Sequence, residues 1–247
     1  MAMQHYKDTK FDVIIQAGQS NAEGIGLGAA TRPYEPNDDI LYFDENGVHV
    51  ASERPDSRGP VNNFSLAFAR NYVESGLLKK GRKLLVIRAA VGGTGFLDKR
   101  WGMQDDLFLR MIGWVDEVKS VNKDNRFVAF IWHQGETDAI LSASYETHLA
   151  NLSTLLSAVR TRCDVAELPF IAGSFVREWH TPNATACAPV LRAIREVCGT
   201  VHAGFVETDD LESNNEAIGD NDVIHFSREA QNILGDRYFA AFQAIRK

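Results

Sequence analysis

The sequence predicts an α/β chain: a doubly wound, mostly parallel sheet of about five strands flanked by helices on both sides. Three observations carry this. Short apolar runs rich in β-branched residues recur along the chain, segments of helical period separate them, and the connections are long enough for crossovers. The first run, 11–17, leaves a polar start and ends at Gly18-Gln19-Ser20. Residues 24–60 carry Pro33, Pro36, Pro55, Pro60 and several glycines, which predicts a long surface excursion with little regular structure. Phe64, Phe68 and Tyr72 then fall on one helical face before a second strand at 83–90. Leu107, Met111, Trp114 and Val118 predict a helix, 126–132 a third strand, and Tyr145, Leu149, Leu152, Leu156 and Val159 a further helix. A fourth strand is expected at 169–175. A weaker helix over 188–198 accepts Pro189 only in its first turn, and a fifth strand at 201–206 precedes a last helix carrying Ile233, Leu234, Tyr238, Ala241 and Ile245.

At 247 residues, 45% hydrophobic and 24% charged, the chain suits one domain spanning 1–247, with no Ser/Pro-rich linker to divide it. A formal charge of −7 speaks against a nucleic-acid partner, which normally shows as a basic stripe. No apolar run reaches the roughly 20 residues of a membrane span, and the opening MAMQHYKDTK has no signal-peptide core, so the chain as given is expected to be cytoplasmic. Cys163, Cys187 and Cys198 form no CxxC pair, which predicts neither a disulfide framework nor a metal site. Oligomeric state leaves no readable mark.

In open α/β sheets ligands bind beyond the carboxyl ends of the strands, so the residues just past each strand locate the chemistry. After the first comes Gly18-Gln19-Ser20-Asn21-Ala22-Glu23-Gly24; after the second, Val91-Gly92-Gly93-Thr94-Gly95; after the third, His133-Gln134-Gly135-Glu136-Thr137-Asp138. Arg177-Glu178-Trp179-His180 comes after the fourth, and Asp220-Asn221-Asp222-Val223-Ile224-His225 precedes the last helix. A serine nucleophile needs a base, an acid that orients the base, and donors aimed at the developing oxyanion. Ser20 lies on a glycine-flanked turn, and Asp222 and His225 are close enough for one loop to hold carboxylate against imidazole. Gly92 or Gly93 lets a backbone N–H approach a reacting carbonyl, and Gln134 offers an amide donor. Taken singly, Ser20 reads as a helix cap, His225 as a hydrogen-bonded anchor and Gly92-Gly93 as a turn; their joint occurrence at strand ends is what points to catalysis. His133 reads equally as pocket lining or core. Glu136 and Asp138 share one short loop, whereas glycosidase carboxylates flank a sugar, so a structural or hydrogen-bond-orienting role is expected of both.

These blocks resemble the SGNH hydrolase superfamily, specifically its sialate O-acetylesterase-like and carbohydrate esterase family 6 branch, which includes acetylxylan esterases. Gly18-Gln19-Ser20-Asn21 resembles its nucleophile block and Ala90-Val91-Gly92-Gly93-Thr94 its oxyanion block. Trp132-His133-Gln134-Gly135-Glu136-Thr137-Asp138 and Asp222-Val223-Ile224-His225 resemble its third and final blocks, in the family's order and across nearly the whole chain. The resemblance implies an SGNH/flavodoxin-like three-layer sandwich, with Ser20 as nucleophile, His225 as base and then acid, and Asp222 as its orienting carboxylate. It implies an oxyanion hole of the Ser20 and Gly92 N–H groups, Gly93 as the fallback, and the Gln134 side chain. Many relatives have Met where this chain has Ala22, which implies a differently shaped acyl pocket. The implied reaction is removal of a small acyl group, typically acetyl, from a sugar hydroxyl, with no cofactor or metal. A small acetylated carbohydrate is the expected partner, and Trp101 and Trp179 are expected at the rim as aromatic platforms.

Gly24-Ile25-Gly26-Leu27-Gly28 does not have dinucleotide-loop spacing and precedes Thr31-Arg32-Pro33, where such a loop would open a helix. Ser20 is not in a G-x-S-x-G elbow, which disfavours an α/β-hydrolase. A non-catalytic carbohydrate-binding protein on the same fold is the alternative from another class, and loss of any of Ser20, Asp222 or His225 would favour it; all three are present. Net charge tilts the expected substrate toward acetylated neutral glycans, as in acetylxylan, over acetylated sialic acid, unless arginines such as Arg88 or Arg177 offset the field.

Overall fold

A computed structural model describes residues 2–246. β-branched and aromatic runs form β1 (Lys10–Gly18), β2 (Ile40–Asp44), β3 (Gly47–Val50), β4 (Arg82–Arg88), β5 (Arg126–His133), β6 (Phe170–Gly173) and β7 (Ala203–Val206). Among the described residues they make one seven-stranded sheet, ordered β3-β2-β4-β1-β5-β6-β7, in which only β2 and β3 are antiparallel. The helices are α1 (Ser20–Glu23), α2 (Phe64–Glu74), α3 (Asp106–Val121), α4 (Glu136–Ile140), α5 (Tyr145–Cys163), α6 (Arg177–His180), α7 (Ala184–Cys198), α8 (Asn214–Ile218) and α9 (Arg228–Ile245). None is long and apolar enough to cross a membrane, among the described residues.

Alternation along β1 builds the three layers. Phe11, Val13, Ile15 and Ala17 face a core shared with Met111 and Val115 of α3, Leu152 and Val159 of α5 and Ile194 of α7. Ile14 faces the opposite core, with Phe64 and Phe68 of α2 and Leu234, Tyr238 and Phe242 of α9. β1 is flanked by β4 and β5, so its carboxyl end is the point where the sheet's winding changes direction. Gln16 pairs with Arg88 and Gly18 with His133, and the loops after these three central strands leave the sheet at nearly the same level.

The structure departs from the sequence-based expectations in the 24–60 excursion and at the start of α7. The excursion 24–60 contains β2 and β3, whose signal was the apolar run Ile40–Phe43 before the turn Asp44-Glu45-Asn46-Gly47; the surrounding prolines masked it. The sheet accordingly has seven strands where five were expected. Helix α7 begins at Ala184, not near 188, which puts Pro189 in the second turn; the carbonyl deprived of its donor belongs to exposed Thr185, where water can satisfy it.

Helices α2 and α9 cross at Gly235, where a Cβ would lie 2.2 Å from the Phe64 carbonyl oxygen and 2.7 Å from Ala67 Cβ. Alanine's helix propensity is worth about 1 kcal/mol over glycine, whereas forcing packed backbones apart costs about 1–3 kcal/mol or more. Gly235→Ala is therefore expected to lower the melting temperature by several degrees in calorimetry; a rise would show that the crossing is loose.

Candidate active site

The chain leaves β1 through Gly18, whose φ of +129° and missing side chain are both required: a Cβ there would lie 2.1 Å from the His133 carbonyl oxygen of β5. Gln19 N–H then donates to that oxygen at 2.9 Å, and α1 begins at Ser20. Four residues are too few for a helix to hold itself, and outside groups hold this one. The Ser20 carbonyl accepts from Gly24 N–H at 2.9 Å and that of Asn21 from Gln231 Nε2 at 3.2 Å. Gln16 Nε2 donates to the Ala22 carbonyl and Arg88 Nη2 to that of Glu23. The helix start meanwhile leaves the Ser20 and Asn21 N–H groups without ladder partners, on a buried serine.

The loop before α9 brings His225 and Asp222 to Ser20. His225 Nε2 lies 2.9 Å from Ser20 Oγ, and its Nδ1 lies 2.8 Å from both carboxylate oxygens of Asp222. Asp222 is an acceptor, so Nδ1 carries the proton and Nε2 is free to accept from the serine hydroxyl. Burial opposes ionisation of Asp222, but the His225 imidazole and the Asn214 amide, which donates at 3.0 Å, outweigh it and hold the carboxyl below its ordinary value. The Asp222 and His225 side chains keep 22% and 20% exposure, so a substrate can reach the pair.

Of the expected oxyanion donors, the Ser20 N–H has no ladder partner, whereas the Gly92 N–H and the Gln134 amide are engaged. A Cβ on Gly92 would lie 3.4 Å from Ser20 Cβ, placing this glycine beside Ser20, yet its N–H donates to Glu23 Oε2 at 2.8 Å. Gly93 is exposed, with φ +69°. Buried Gln134 donates through Nε2 to Asp138 Oδ2 at 2.8 Å and to the Thr94 carbonyl at 3.4 Å. Asp138 also accepts from the Phe96 and Leu97 N–H groups, so it orients Gln134 and ties down the loop after β4. Burial opposes its ionisation, but contacts with His148 and these two N–H groups hold it below its ordinary value. A groove of about 780 Å³ lined by residues such as Leu149, Leu156, Arg160 and Val197 contains none of these groups.

Residues 10–244 match the family described as carbohydrate esterase, sialic acid-specific acetylesterase. The chain belongs to this family. It is a carboxylic ester hydrolase, a carbohydrate acetylesterase. Its fold is similar to that of NanS, at TM-score 0.78 and 16% identity over 95% of this chain and 97% of that one. A protein from Arabidopsis thaliana gives 0.75 and 20%, over 94% and 98% of the two chains. A carbohydrate acetylesterase from Xanthomonas citri gives 0.65 and 14%, over 95% of this chain and 56% of that one. Among curated protein sequences none matches.

Two of the esterase's aromatic and histidine expectations resolve on burial. Trp101 is 0% exposed, packs edge-on against Trp132 at 5.1 Å and donates through Nε1 to Thr94 Oγ1 at 3.0 Å. It is a core residue and cannot be a rim platform; flanking Lys99, Arg100 and Gly102 made it look like surface. Trp179 is partly exposed and tilts against Phe175. His133 is core as well, buried with Nδ1 2.9 Å from Tyr238 Oη. Four contributors escaped sequence reasoning. Glu23 on Gly92, Asn214 on Asp222, and Gln16 and Gln231 on the α1 carbonyls all act on partners that chain order does not reveal.

Tyr238 O–H donates to the Trp132 carbonyl at 3.0 Å, so its oxygen accepts from His133 Nδ1–H and the imidazole is neutral. Burial pushes its pKa down to about 3 from 6.5. Below about pH 6.5 the unfolded chain binds a proton that the folded one refuses until about pH 3, so stability falls as pH falls through that window, by about 1.4 kcal/mol per unit. Denaturant titrations from pH 7 to 4.5 are expected to show this slope, flattened by about one proton in His133→Gln; equal slopes would place the acid sensitivity elsewhere.

Proposed function

We propose that the esterase deacetylates neutral glycans, acetylxylan fragments among them, through an acyl-enzyme on Ser20. Ser20 Oγ attacks the ester carbonyl carbon while its proton passes to His225 Nε2, and Asp222 stabilises the imidazolium. The tetrahedral oxyanion is received by the Ser20 N–H, the Gly92 N–H and the Gln134 amide, with Gly93 as the alternative backbone donor. Collapse breaks the bond to the sugar oxygen, which takes the proton from His225. Water, deprotonated by His225, then releases acetate and returns Ser20 to its hydroxyl. The observation that carries this reading is the 2.9 Å contact between Ser20 Oγ and His225 Nε2, with Asp222 on the far side of the ring. Trp179, on α6 beyond the end of β6, is the remaining aromatic platform for a sugar.

Glu23 bears on the charge of the substrate. Its carboxylate and Ser20 Cβ both lie within 3.5 Å of one point, the Cβ position of Gly92, so a negative charge stands next to the reacting centre. Of the arginines that could offset it, Arg177 is paired with Glu216, and the guanidinium of Arg88 is taken up by the Glu23 carbonyl and the Tyr42 ring, 4.7 Å away, so neither is free to pair with a substrate carboxylate. An acetylated sialic acid would bring its own carboxylate into this field, and a neutral sugar would not. A sialate O-acetylesterase is the second reading, favoured by the family's description.

Turnover of an aryl acetate near neutral pH tests the mechanism. Ser20→Ala and His225→Ala are each expected to lower kcat by about 10³-fold or more while the fold persists; an active Ser20→Ala enzyme would remove Ser20 as nucleophile. For the substrate, Glu23→Gln is expected to raise kcat/KM for an acetylated sialic acid relative to an acetylated xylo-oligosaccharide by roughly threefold or more, an effect that shrinks in high salt. An unchanged ratio would detach Glu23 from selectivity.

A further inference from the structure

Beneath Ser20 lies a polar network that the acyl-transfer scheme leaves unused. Asn21 is the residue after the nucleophile and is fully buried. Its Nδ2 donates to the Ile224 carbonyl at 3.0 Å, and its Oδ1 accepts from Phe226 N–H at 3.1 Å. These are the two neighbours of His225, so one side chain grips the backbone on both sides of the base. The other Nδ2 hydrogen goes to Glu136 Oε1 at 2.8 Å.

That last bond is a third contact in the same sense as the two on residues 224 and 226. Turned over, Asn21 would set its oxygen against the Ile224 carbonyl and the Glu136 carboxylate, and its NH₂ against Phe226 N–H, opposing like with like. Glu136 thus reinforces the working orientation and holds the amide in place, at a cost. It is fully buried, and burial holds its carboxyl above the ordinary value. Its Oε2 has no partner among the described residues, and His133 Nε2, 3.9 Å from Oε1, is beyond hydrogen-bond reach. A half-satisfied buried carboxyl costs stability that an apolar residue would not. What it supplies in return is the orientation of Asn21.

We propose that Glu136 is a positioning residue: by orienting Asn21 it fixes residues 224–226 so that His225 Nε2 meets Ser20 Oγ at hydrogen-bond distance. This rests on the reading of Ser20 as nucleophile and His225 as base. Among the described residues no hydrogen bond joins Glu136 to either, so its hydrogen-bonded route to them runs through Asn21, beside a through-space coulombic contact with His225. The short segment 134–138 then orients both halves of the machinery, Asp138 holding Gln134 and Glu136 holding Asn21.

The test is a double-mutant cycle on the full chain, read by aryl acetate kinetics, by the rate at which an aryl phosphonofluoridate modifies Ser20, and by melting temperature. A base displaced by a fraction of an ångström costs proton transfer more than binding. Glu136→Ala is therefore expected to lower kcat about 10- to 100-fold with KM within about twofold, and to slow phosphonylation by a similar factor. Glu136→Gln, whose Oε1 still accepts from Asn21, recovers most of that loss. Asn21→Ala is at least as impaired as Glu136→Ala, and the double variant is no worse than Asn21→Ala alone. Additive losses, a loss confined to KM, or a Gln variant as poor as the Ala variant would overturn the proposal. Should Glu136→Ala not fold, Glu136→Gln and Asn21→Ala form the cycle, and additivity between them is the overturning result. Ser20→Ala runs alongside: if it stays active the nucleophile reading fails and this inference with it, whereas a dead Ser20→Ala beside an unimpaired Glu136→Ala fails the inference alone.

Discussion

A buried carboxylate at the far end of the sheet governs how the site is built. Asp12, near the start of β1, is fully enclosed and accepts from Arg82 Nε at 2.6 Å and from Arg126 at 2.6–2.9 Å, the first residues of β4 and β5, with Tyr72 of α2 donating at 2.8 Å. A charge in that position is tolerable only when every lone pair is used, and using them requires the three strands to start in a single register. Parallel strands rise together, so the start set there carries to the carboxyl ends, through one irregularity in β5 after Phe127: Arg88 ends opposite Gln16 and His133 opposite Gly18.

From that edge the candidate site is assembled by short steps. β1 delivers the Ser20 turn, β4 the Gly92 loop and β5 the Gln134–Asp138 segment, and the crevice between them lies where the winding of the sheet changes direction. His225 arrives from a distant part of the chain, and its loop is fastened on both sides. Asn214 holds Asp222 with its amide and donates its backbone N–H to the His225 carbonyl, while Asn21 holds the residues flanking His225. Glu23 shows the opposite tendency. Its carboxylate accepts from the Gly92 N–H beside Ser20, so that donor is already occupied.

The parts of this architecture that sequence reveals are those written in consecutive residues. The five strands expected at 11–17, 83–90, 126–132, 169–175 and 201–206 correspond to β1, β4, β5, β6 and β7, and the long helices to α2, α3, α5, α7 and α9, because period and turn chemistry are local. The hairpin of β2 and β3 escaped because four prolines outweighed one short apolar run, and α1, α4, α6 and α8 escaped because a single turn has no period to detect. Trp101 misled for a related reason: its neighbours are charged, and only the packing of Trp132 and Thr94 around it reveals a core side chain.

By itself the sequence determined the layered α/β class, the family resemblance and the residue types offered at each strand end, since a glycine-flanked serine, a paired glycine and an Asp-x-x-His loop are each legible within a few positions. The tertiary structure decided which of those groups meet and which are already occupied. Ser20 and His225 are 205 positions apart, Asn21 and Glu136 115, and Glu23 and Gly92 69. Hydrogen bonds are settled by sub-ångström distances between side chains that only the packed sheet brings together, and no local pattern of residues encodes them.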